Sequence, residues 1–275
     1  MRVFDCFPFY NEFTLLEIRL EELWDTVDYF VIAEANTTHQ SRDKSFYLQD
    51  RWSNYEKYHS KIRHIMIDDM PRNPNTWENE GFQRFCLGRG LYDIQPDDII
   101  CVSDCDEIPR PSTLEYIRND PEDYERYLLG MPLFYFKFNN MMTKPVVKQT
   151  NIKVTRGRAF VNPHWERTSF NYIPGVKELE HGGWHFTYLG NSNFAVNKIQ
   201  SFAHIETNIS EIIEKIDVEK MVQEKVGLGW DQHSEKFEHV KLDSYFPTTI
   251  LNNQKKYQHL IVNNADLTVY DIYSN

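Results

Sequence analysis

The sequence contains few cysteines, has no long hydrophobic run and carries fewer basic than acidic residues. Its 4 Cys in 275 residues are too few for a disulfide scaffold, and no Cys-x-x-Cys pair indicates a zinc site. No run of about 18 apolar residues occurs, so we expect no signal peptide, no membrane span and a cytoplasmic protein. The net charge of −11 argues against a nucleic-acid-binding surface.

The composition is that of a globular protein with a substantial core. Hydrophobic residues make up 41% of the chain and aromatic residues 15%. No linker, internal repeat or low-complexity tract divides the sequence, so we predict a single domain over residues 1–275. Because the chain is acidic, it would repel an anionic ligand unless a metal ion or local Arg and Lys side chains reversed the field.

In residues 1–125, short apolar runs alternate with stretches of helical periodicity. The pattern predicts strands at 3–9, 28–35, 61–67 and 99–102. It predicts helices at 12–24 with Asn11 as N-cap, at 77–92, and from Pro111 with a capping box over 112–115. This alternation is typical of an α/β fold whose mostly parallel central sheet is flanked by helices.

Residues 126–275 have a different pattern. Aromatic or β-branched runs at 127–139 and 152–161 predict antiparallel strands, and helical spacing occurs at 192–204 and 209–226. We therefore expect a smaller mixed or antiparallel region in this half of the domain.

The most informative segment follows the strand at 99–102, which ends in the acids Asp104, Asp106 and Glu107. Two residues apart in an extended chain, Asp104 and Asp106 project from the same side. Two such carboxylates are costly unless a positive group lies between them, and a divalent cation with oxygen ligands is the usual solution. The alternative to a metal site is a solvated acidic turn that caps the helix at Pro111.

Four blocks in order resemble glycosyltransferase family 17, the β-1,4-mannosyl-glycoprotein 4-β-N-acetylglucosaminyltransferase family. They are Asn11-Glu12-Phe13, Val27-Asp28 with Glu34, residues 96–109, and Gly183-Trp184-His185; a weaker match runs through Gly229-Trp230 and 247–261. The resemblance implies a GT-A-type fold, a UDP-N-acetylglucosamine donor, a glycan acceptor, a divalent metal and inversion at the anomeric carbon. It also implies that residues 1–125 bind the nucleotide sugar and that 126–275 form the acceptor side.

The resemblance implies a metal site as well. Asp104 and Asp106 would hold Mn²⁺ or Mg²⁺ at the donor diphosphate, with Glu107 supporting them. His185 is the candidate third ligand; His204 competes with it, and a packed core imidazole is the alternative for His185.

Two further residues are candidates for donor binding. Glu34 ends the second strand, where it could accept a hydrogen bond from the uridine, or it is an ordinary acid at a strand end. Arg84 lies on the helix before the acidic strand, where it could face the pyrophosphate or form a surface ion pair.

Inversion in one displacement needs a carboxylate base on the acceptor side. We rank Asp231, which follows Gly229-Trp230, before Glu206 and Glu180, and Glu178 is a further candidate. Taken alone, each of these acids is more often an ordinary surface residue than a catalytic base. Two alternative functions stay open: a haloacid-dehalogenase-like phosphatase, which also uses Asp-x-Asp, and a non-catalytic carbohydrate-binding protein.

Overall fold

The computed structural model describes residues 1–144, 149–169, 173–205, 210–228, 235–263 and 267–268. The strands in these ranges are β1 (Val3–Phe9), β2 (Tyr29–Ala35), β3 (Ile62–Ile67), β4 (Ile99–Val102), β5 (Glu107–Pro109), β6 (Arg126–Met131), β7 (Leu133–Tyr135), β8 (Asn140–Lys144), β9 (Gln149–Arg156), β10 (Lys177–Leu179), β11 (Gly183–Thr187) and β12 (Lys236–His239).

The helices are α1 (Phe13–Leu23), α2 (Tyr47–Asp50), α3 (Thr76–Cys86), α4 (Pro111–Arg118), α5 (Pro163–Ser169), α6 (Ser192–Ile199), α7 (Ser210–Ile213), α8 (Val218–Glu224) and α9 (Thr248–Asn252). Short 3₁₀ helices occur at Trp52–Tyr58, Leu87–Gly90, Gly157–Ala159 and Gln258–Leu260. None of the helices in the described ranges is long and apolar enough to cross a membrane.

The central sheet has seven strands in the order β10-β6-β9-β4-β1-β2-β3. Strands β4, β1, β2 and β3 run parallel to one another, whereas β9 is antiparallel to both β4 and β6. The parallel strands β1, β2 and β4 are almost wholly buried, as expected for apolar runs covered on both faces. The predicted α/β fold with a mostly parallel central sheet is confirmed.

The second sheet has five strands in the order β12-β8-β7-β11-β5. Its edge strand β5 begins at Glu107 and pairs antiparallel with β11, which places Glu107 opposite His185. The acidic segment therefore lies between the two sheets, because it leaves β4 of the central sheet and enters β5 of the second sheet within a few residues.

Helix α1 packs one apolar face on the central sheet. Leu16, Leu20 and Leu23 on this face are fully buried, and burial of each side chain contributes about 1.5–3 kcal/mol. The same cluster includes Trp184 from the second sheet, whose indole Nε1 donates a hydrogen bond to the Tyr245 carbonyl oxygen at 2.9 Å. One apolar core thus draws on residues from both halves of the chain.

Two predicted helix caps are wrong. Glu12, not Asn11, precedes α1, and its carboxylate turns back to accept the backbone N–H groups of Tyr10 and Asn11 at 3.3 and 3.1 Å. The N-cap of α4 is Arg110, which makes no capping hydrogen bond. The predicted capping box over 112–115 therefore lies inside the helix, although Pro111 does occupy its first turn.

The helices of the second half are shorter than predicted. Helix α6 ends at Ile199 rather than near residue 204. The helical pattern at 209–226 forms two short helices, because the Asp217 carboxylate accepts the Lys220 N–H at 3.1 Å and begins α8 as a separate helix.

Candidate active site

A pocket of about 310 Å³ opens at the carboxyl ends of the parallel strands. Residues that follow β1, β2 and β4 form one wall, and side chains from α3, α5, β11 and α6 form the other. The residues that carry charge or an imidazole there are Glu12, His39, Lys44, Glu80, Arg84, Asp104, Asp106, Glu107, Arg167, His185, Lys198 and His204. Ligands of open α/β sheets bind at this edge.

Arg19 of α1 holds the backbone of the acidic segment through hydrogen bonds. This side chain is fully buried, and its guanidinium pairs with both carboxylate oxygens of Asp5 on β1 at 2.7 and 2.6 Å. It also donates to the Ser103 hydroxyl at 2.6 Å and to the carbonyl oxygens of Asp104 and Glu107 at 2.8 and 2.9 Å. Because these bonds use the backbone, the carboxylates of the segment remain directed to the pocket.

Asp104 is paired with two arginines. Its carboxylate lies 3.1 Å from Arg84 Nη2 and 2.7 Å from Arg167 Nη2. Burial raises the pKa of Asp104, but Arg167 and Arg84 outweigh burial and lower the pKa to about 2. Glu107 supports the arrangement, since its carboxylate accepts the Asp104 N–H at 2.8 Å and two bonds from Arg167 at 3.0 Å.

Asp106 is paired with an ammonium group and an imidazole. Lys198 Nζ of α6 lies 2.5 Å from Asp106 Oδ2, and His185 Nε2 of β11 lies 3.6 Å from Oδ1. Burial raises the pKa of Asp106, but Lys198 and His185 hold it well below its usual range. Burial opposes protonation of His185, yet the Asp106 carboxylate raises the pKa of His185 above its ordinary value.

The oxygen and nitrogen atoms at this site are suitable ligands for a divalent cation. Two carboxylates and an imidazole are ligands that Mn²⁺ accepts, and His185 Nδ1 is buried without a hydrogen-bond partner among the described residues. In the described part of the chain no three His, Cys, Asp or Glu side chains are already arranged as a metal site, because each Asp is turned to its own cations. An ion at Asp106 would therefore have to compete with Lys198.

The charge balance of the pocket also favours an added cation. Five acidic side chains and four Arg or Lys side chains line it, so the lining has no surplus of fixed positive charge. A nucleoside diphosphate would bring further negative charge into this low-dielectric space. A divalent metal or protonated His185 can offset this negative charge.

The other predicted donor-binding residues differ in position. Arg84 faces Asp104 in the pocket, as described above, whereas the fully buried Glu34 is not part of the pocket lining. The Glu34 carboxylate accepts the Leu48 N–H at 2.9 Å and lies 3.1 Å from His64 Nε2. Glu34 therefore anchors the chain after β2, and its neighbour Lys44, at 3.7 Å, reaches the pocket instead.

The competing imidazole, His204, lies at the pocket, whereas Glu180 and Glu178 do not. His204 lines the pocket, but its ring packs edge-on against Trp77 with centroids 4.3 Å apart. Glu180 is exposed in the turn before β11 and does not line the pocket, and Glu178 in β10 is exposed as well. Asp231 and Glu206 lie outside the described residues, so the choice of base stays a prediction.

Three cations of this site escaped the sequence reasoning. Arg19 had a signal, since it is a charged residue within the apolar face of α1, between Leu16 and Leu23. Arg167 and Lys198 lie on α5 and α6, at least 60 residues along the chain from the acids that they contact. No local pattern marks such long-range partners.

The chain is similar to proteins of known activity. A crystal structure of S. aureus TarS 1-349 is 12% identical with a TM-score of 0.41, covering 75% of this chain and 65% of that chain. The β-1,4-mannosyl-glycoprotein 4-β-N-acetylglucosaminyltransferases of Rattus norvegicus and Homo sapiens are each 29% identical over 116 residues, which is 39% of this chain. The match spans only 22% of the length of these relatives. The sequence model of glycosyltransferase family 17 matches residues 1–266, so the chain belongs to this family and is a glycosyltransferase.

Proposed function

We propose that the protein transfers N-acetylglucosamine from UDP-N-acetylglucosamine to a hydroxyl group of a glycan acceptor, with metal dependence and inversion. The observation that carries the proposal is the pair Asp104 and Asp106, held at the ligand-binding edge of the sheet among Arg84, Arg167 and Lys198. Such a set can hold a cation and a diphosphate together. The names of the family relatives, which are N-acetylglucosaminyltransferases, support the donor sugar.

In this proposal, Asp104, Asp106 and His185 hold Mn²⁺ or Mg²⁺. When bound, the ion supplies Lewis-acid stabilisation to the diphosphate leaving group. Arg84, Arg167 and Lys198 already extend positive groups into the pocket, and each can move its charge from a carboxylate to a phosphate oxygen. Such preorganised cations stabilise negative charge that grows on UDP as the glycosidic bond breaks.

Inversion requires a single displacement at the anomeric carbon. The acceptor hydroxyl gives its proton to a carboxylate base while its oxygen forms the new glycosidic bond, and the bond to the UDP oxygen breaks. Asp231 is our first candidate for the base, followed by Glu206 and Glu180. Walls of the pocket that come from α3, α5 and α6 would exclude water from the reacting centre.

The test combines ligand binding with turnover. We expect UDP-N-acetylglucosamine to raise the melting temperature in the presence of Mn²⁺ and to do so far less with EDTA, because a ligand at about 100 times its Kd stabilises the native state by about 2.7 kcal/mol. Asp106→Ala should lose the Mn²⁺-dependent shift and the transfer activity. Asp69→Ala is the matched control, since Asp69 is an exposed acid that pairs with Arg89 at 2.7 Å, outside the pocket.

Two results would contradict the proposal. Full transfer by the wild-type protein after thorough chelation would show that basic residues alone neutralise the diphosphate. A larger thermal shift with another nucleotide sugar, such as GDP-mannose, would change the donor while leaving the glycosyltransferase assignment intact.

A further inference from the structure

Two aromatic side chains of α3 face solvent beside the pocket. Trp77 and Phe85 are 46% and 55% exposed, and Gly81 lies midway between them, so the three residues follow one face of the helix. Large aromatic rings are normally placed where they bury much of their surface. An exposed apolar patch that is rimmed by polar groups is typical of a ligand-binding groove.

Gly81 opens the space between the two rings. A Cβ atom at this position would lie 2.8 Å from His164 Cε1 of α5, so the missing side chain lets α5 approach and puts an imidazole at the floor. His164 Nδ1 is buried without a hydrogen-bond partner among the described residues. Burial and the nearby Arg84 lower the pKa of His164, which favours a neutral imidazole at this position.

The groove adjoins the pocket at the carboxyl ends of the parallel strands, which we call the donor pocket. It encloses about 750 Å³ between α3 and α5. Its inner end is formed by Glu80, Arg84, Asp104 and Arg167, and these four residues also line the donor pocket. A ligand that lies on Trp77 and Phe85 can therefore reach the Asp104 ion pairs without crossing the protein.

We propose that this groove is the acceptor subsite, where a neutral oligosaccharide stacks its sugar rings on Trp77 and Phe85. A sugar ring has an apolar C–H face and a rim of hydroxyl groups, which matches aromatic rings set beside an imidazole and charged side chains. The net charge of −11 opposes a polyanionic ligand. The inference rests on the proposed glycosyl transfer, because the lining residues that the groove shares with the donor pocket are what selects a glycan over a second protein chain.

The experiment compares Trp77→Ala, Phe85→Ala and the double variant with the wild-type protein. Binding to an array of oligosaccharides that includes the mannose-containing core of N-linked glycans identifies the best ligand. We expect each single change to weaken glycan binding and to raise the acceptor KM about tenfold, the typical cost of an aromatic anchor. Calorimetry should show an unchanged affinity for UDP, because neither ring lines the donor pocket.

The matched control is Tyr92→Ala, which removes an aromatic ring that is 78% exposed and lies outside the groove. The inference would be overturned if the double variant bound glycans as well as the wild-type protein does. It would equally be overturned if the wild-type protein bound no glycan on the array better than the double variant does. It would also be overturned if sedimentation showed a wild-type dimer that Trp77→Ala converts to a monomer. Glycan binding that the variants lose, in a protein that binds no UDP-sugar, would overturn the proposed donor instead.

Discussion

Replacement of Arg19 by Met tests how the acidic segment is held. The buried guanidinium contacts Asp5, the Ser103 hydroxyl and the carbonyl oxygens of Asp104 and Glu107. Methionine fills a similar volume but donates no hydrogen bond. The change therefore leaves the Asp5 carboxylate buried without its cation and removes the anchor of the segment that carries Asp104 and Asp106.

The magnitude follows from the loss of one partner of a buried ion pair. Removing one charge of such a pair costs about 3–5 kcal/mol, and each buried acceptor left without a donor adds about 1–3 kcal/mol. Because the whole protein is expected to be stable by about 5–15 kcal/mol, Arg19→Met should lose a large share of its free energy of unfolding. Asp5→Leu should cost less, since the carbonyl oxygens keep their donor.

The assay is urea unfolding followed by circular dichroism, with Asp5→Leu, Arg19→Met and the double variant. We expect the double variant to lose at least about 2 kcal/mol less than the sum of the single losses, because no unpaired charge remains. Arg19→Lys should keep the pairing with Asp5 but bind Mn²⁺ more weakly, since an ammonium cannot span all the acceptors. Additive losses, or an Arg19→Met protein within about 1 kcal/mol of the wild type, would refute this account.

Three further predictions concern other charged residues. Lys198→Met should increase the affinity for Mn²⁺ measured by calorimetry, because the ion no longer has to displace an ammonium group from Asp106. The control Lys44→Met, also in the pocket, should leave the affinity unchanged. Weaker Mn²⁺ binding by Lys198→Met would contradict Asp106 as a ligand. The pKa of buried Lys153 is lowered to about 8, chiefly by burial. Between about pH 8 and 10 the Lys153 amine is therefore protonated in the unfolded chain but mostly neutral in the folded protein. Wild-type stability should therefore rise with pH relative to Lys153→Met by about 1 kcal/mol per pH unit, and parallel stability curves would show that the pKa is ordinary. Asp231→Asn should slow transfer by about 10²–10⁴ with unchanged UDP affinity, and full activity would pass the role to the next acid.

The strands of the first half were predictable because their signal is local. Buried parallel strands read as short apolar runs, and those at 3–9 and 99–102 match β1 and β4. The helix predicted at 77–92 is α3 followed by the 3₁₀ helix Leu87–Gly90, where glycines end the regular α-helical pattern. The short strand β5 was missed, since its three residues are defined by pairing with β11.

The acidic segment and Arg84 were named as candidate site residues from the sequence, whereas Arg167 and Lys198 were missed. The spacing of Asp104 and Asp106 at a strand end is a local sequence signal, whereas Arg167 and Lys198 contact them only through the tertiary fold. For Glu34, a local sequence signal suggested a role in the pocket that the structure does not show. Its position at a strand end suggested ligand contact, but the turn after β2 uses its carboxylate for the Leu48 N–H. Family membership removes the phosphatase and carbohydrate-binding alternatives, which the Asp-x-Asp spacing alone left open.

The candidate site combines side chains from both halves of the chain. The carboxylates that line the pocket come from residues before 110, but Arg167, His185 and Lys198, which neutralise them, come from beyond residue 160. Conversely, the aromatic groove lies mainly on α3, within the half that the sequence assigned to the nucleotide. Each Asp of the acidic segment is paired with a cation from the second half of the chain, Asp104 with Arg167 and Asp106 with Lys198. The candidate site is therefore a property of the assembled fold, and the acidic segment between β4 and β5 is where the two halves meet.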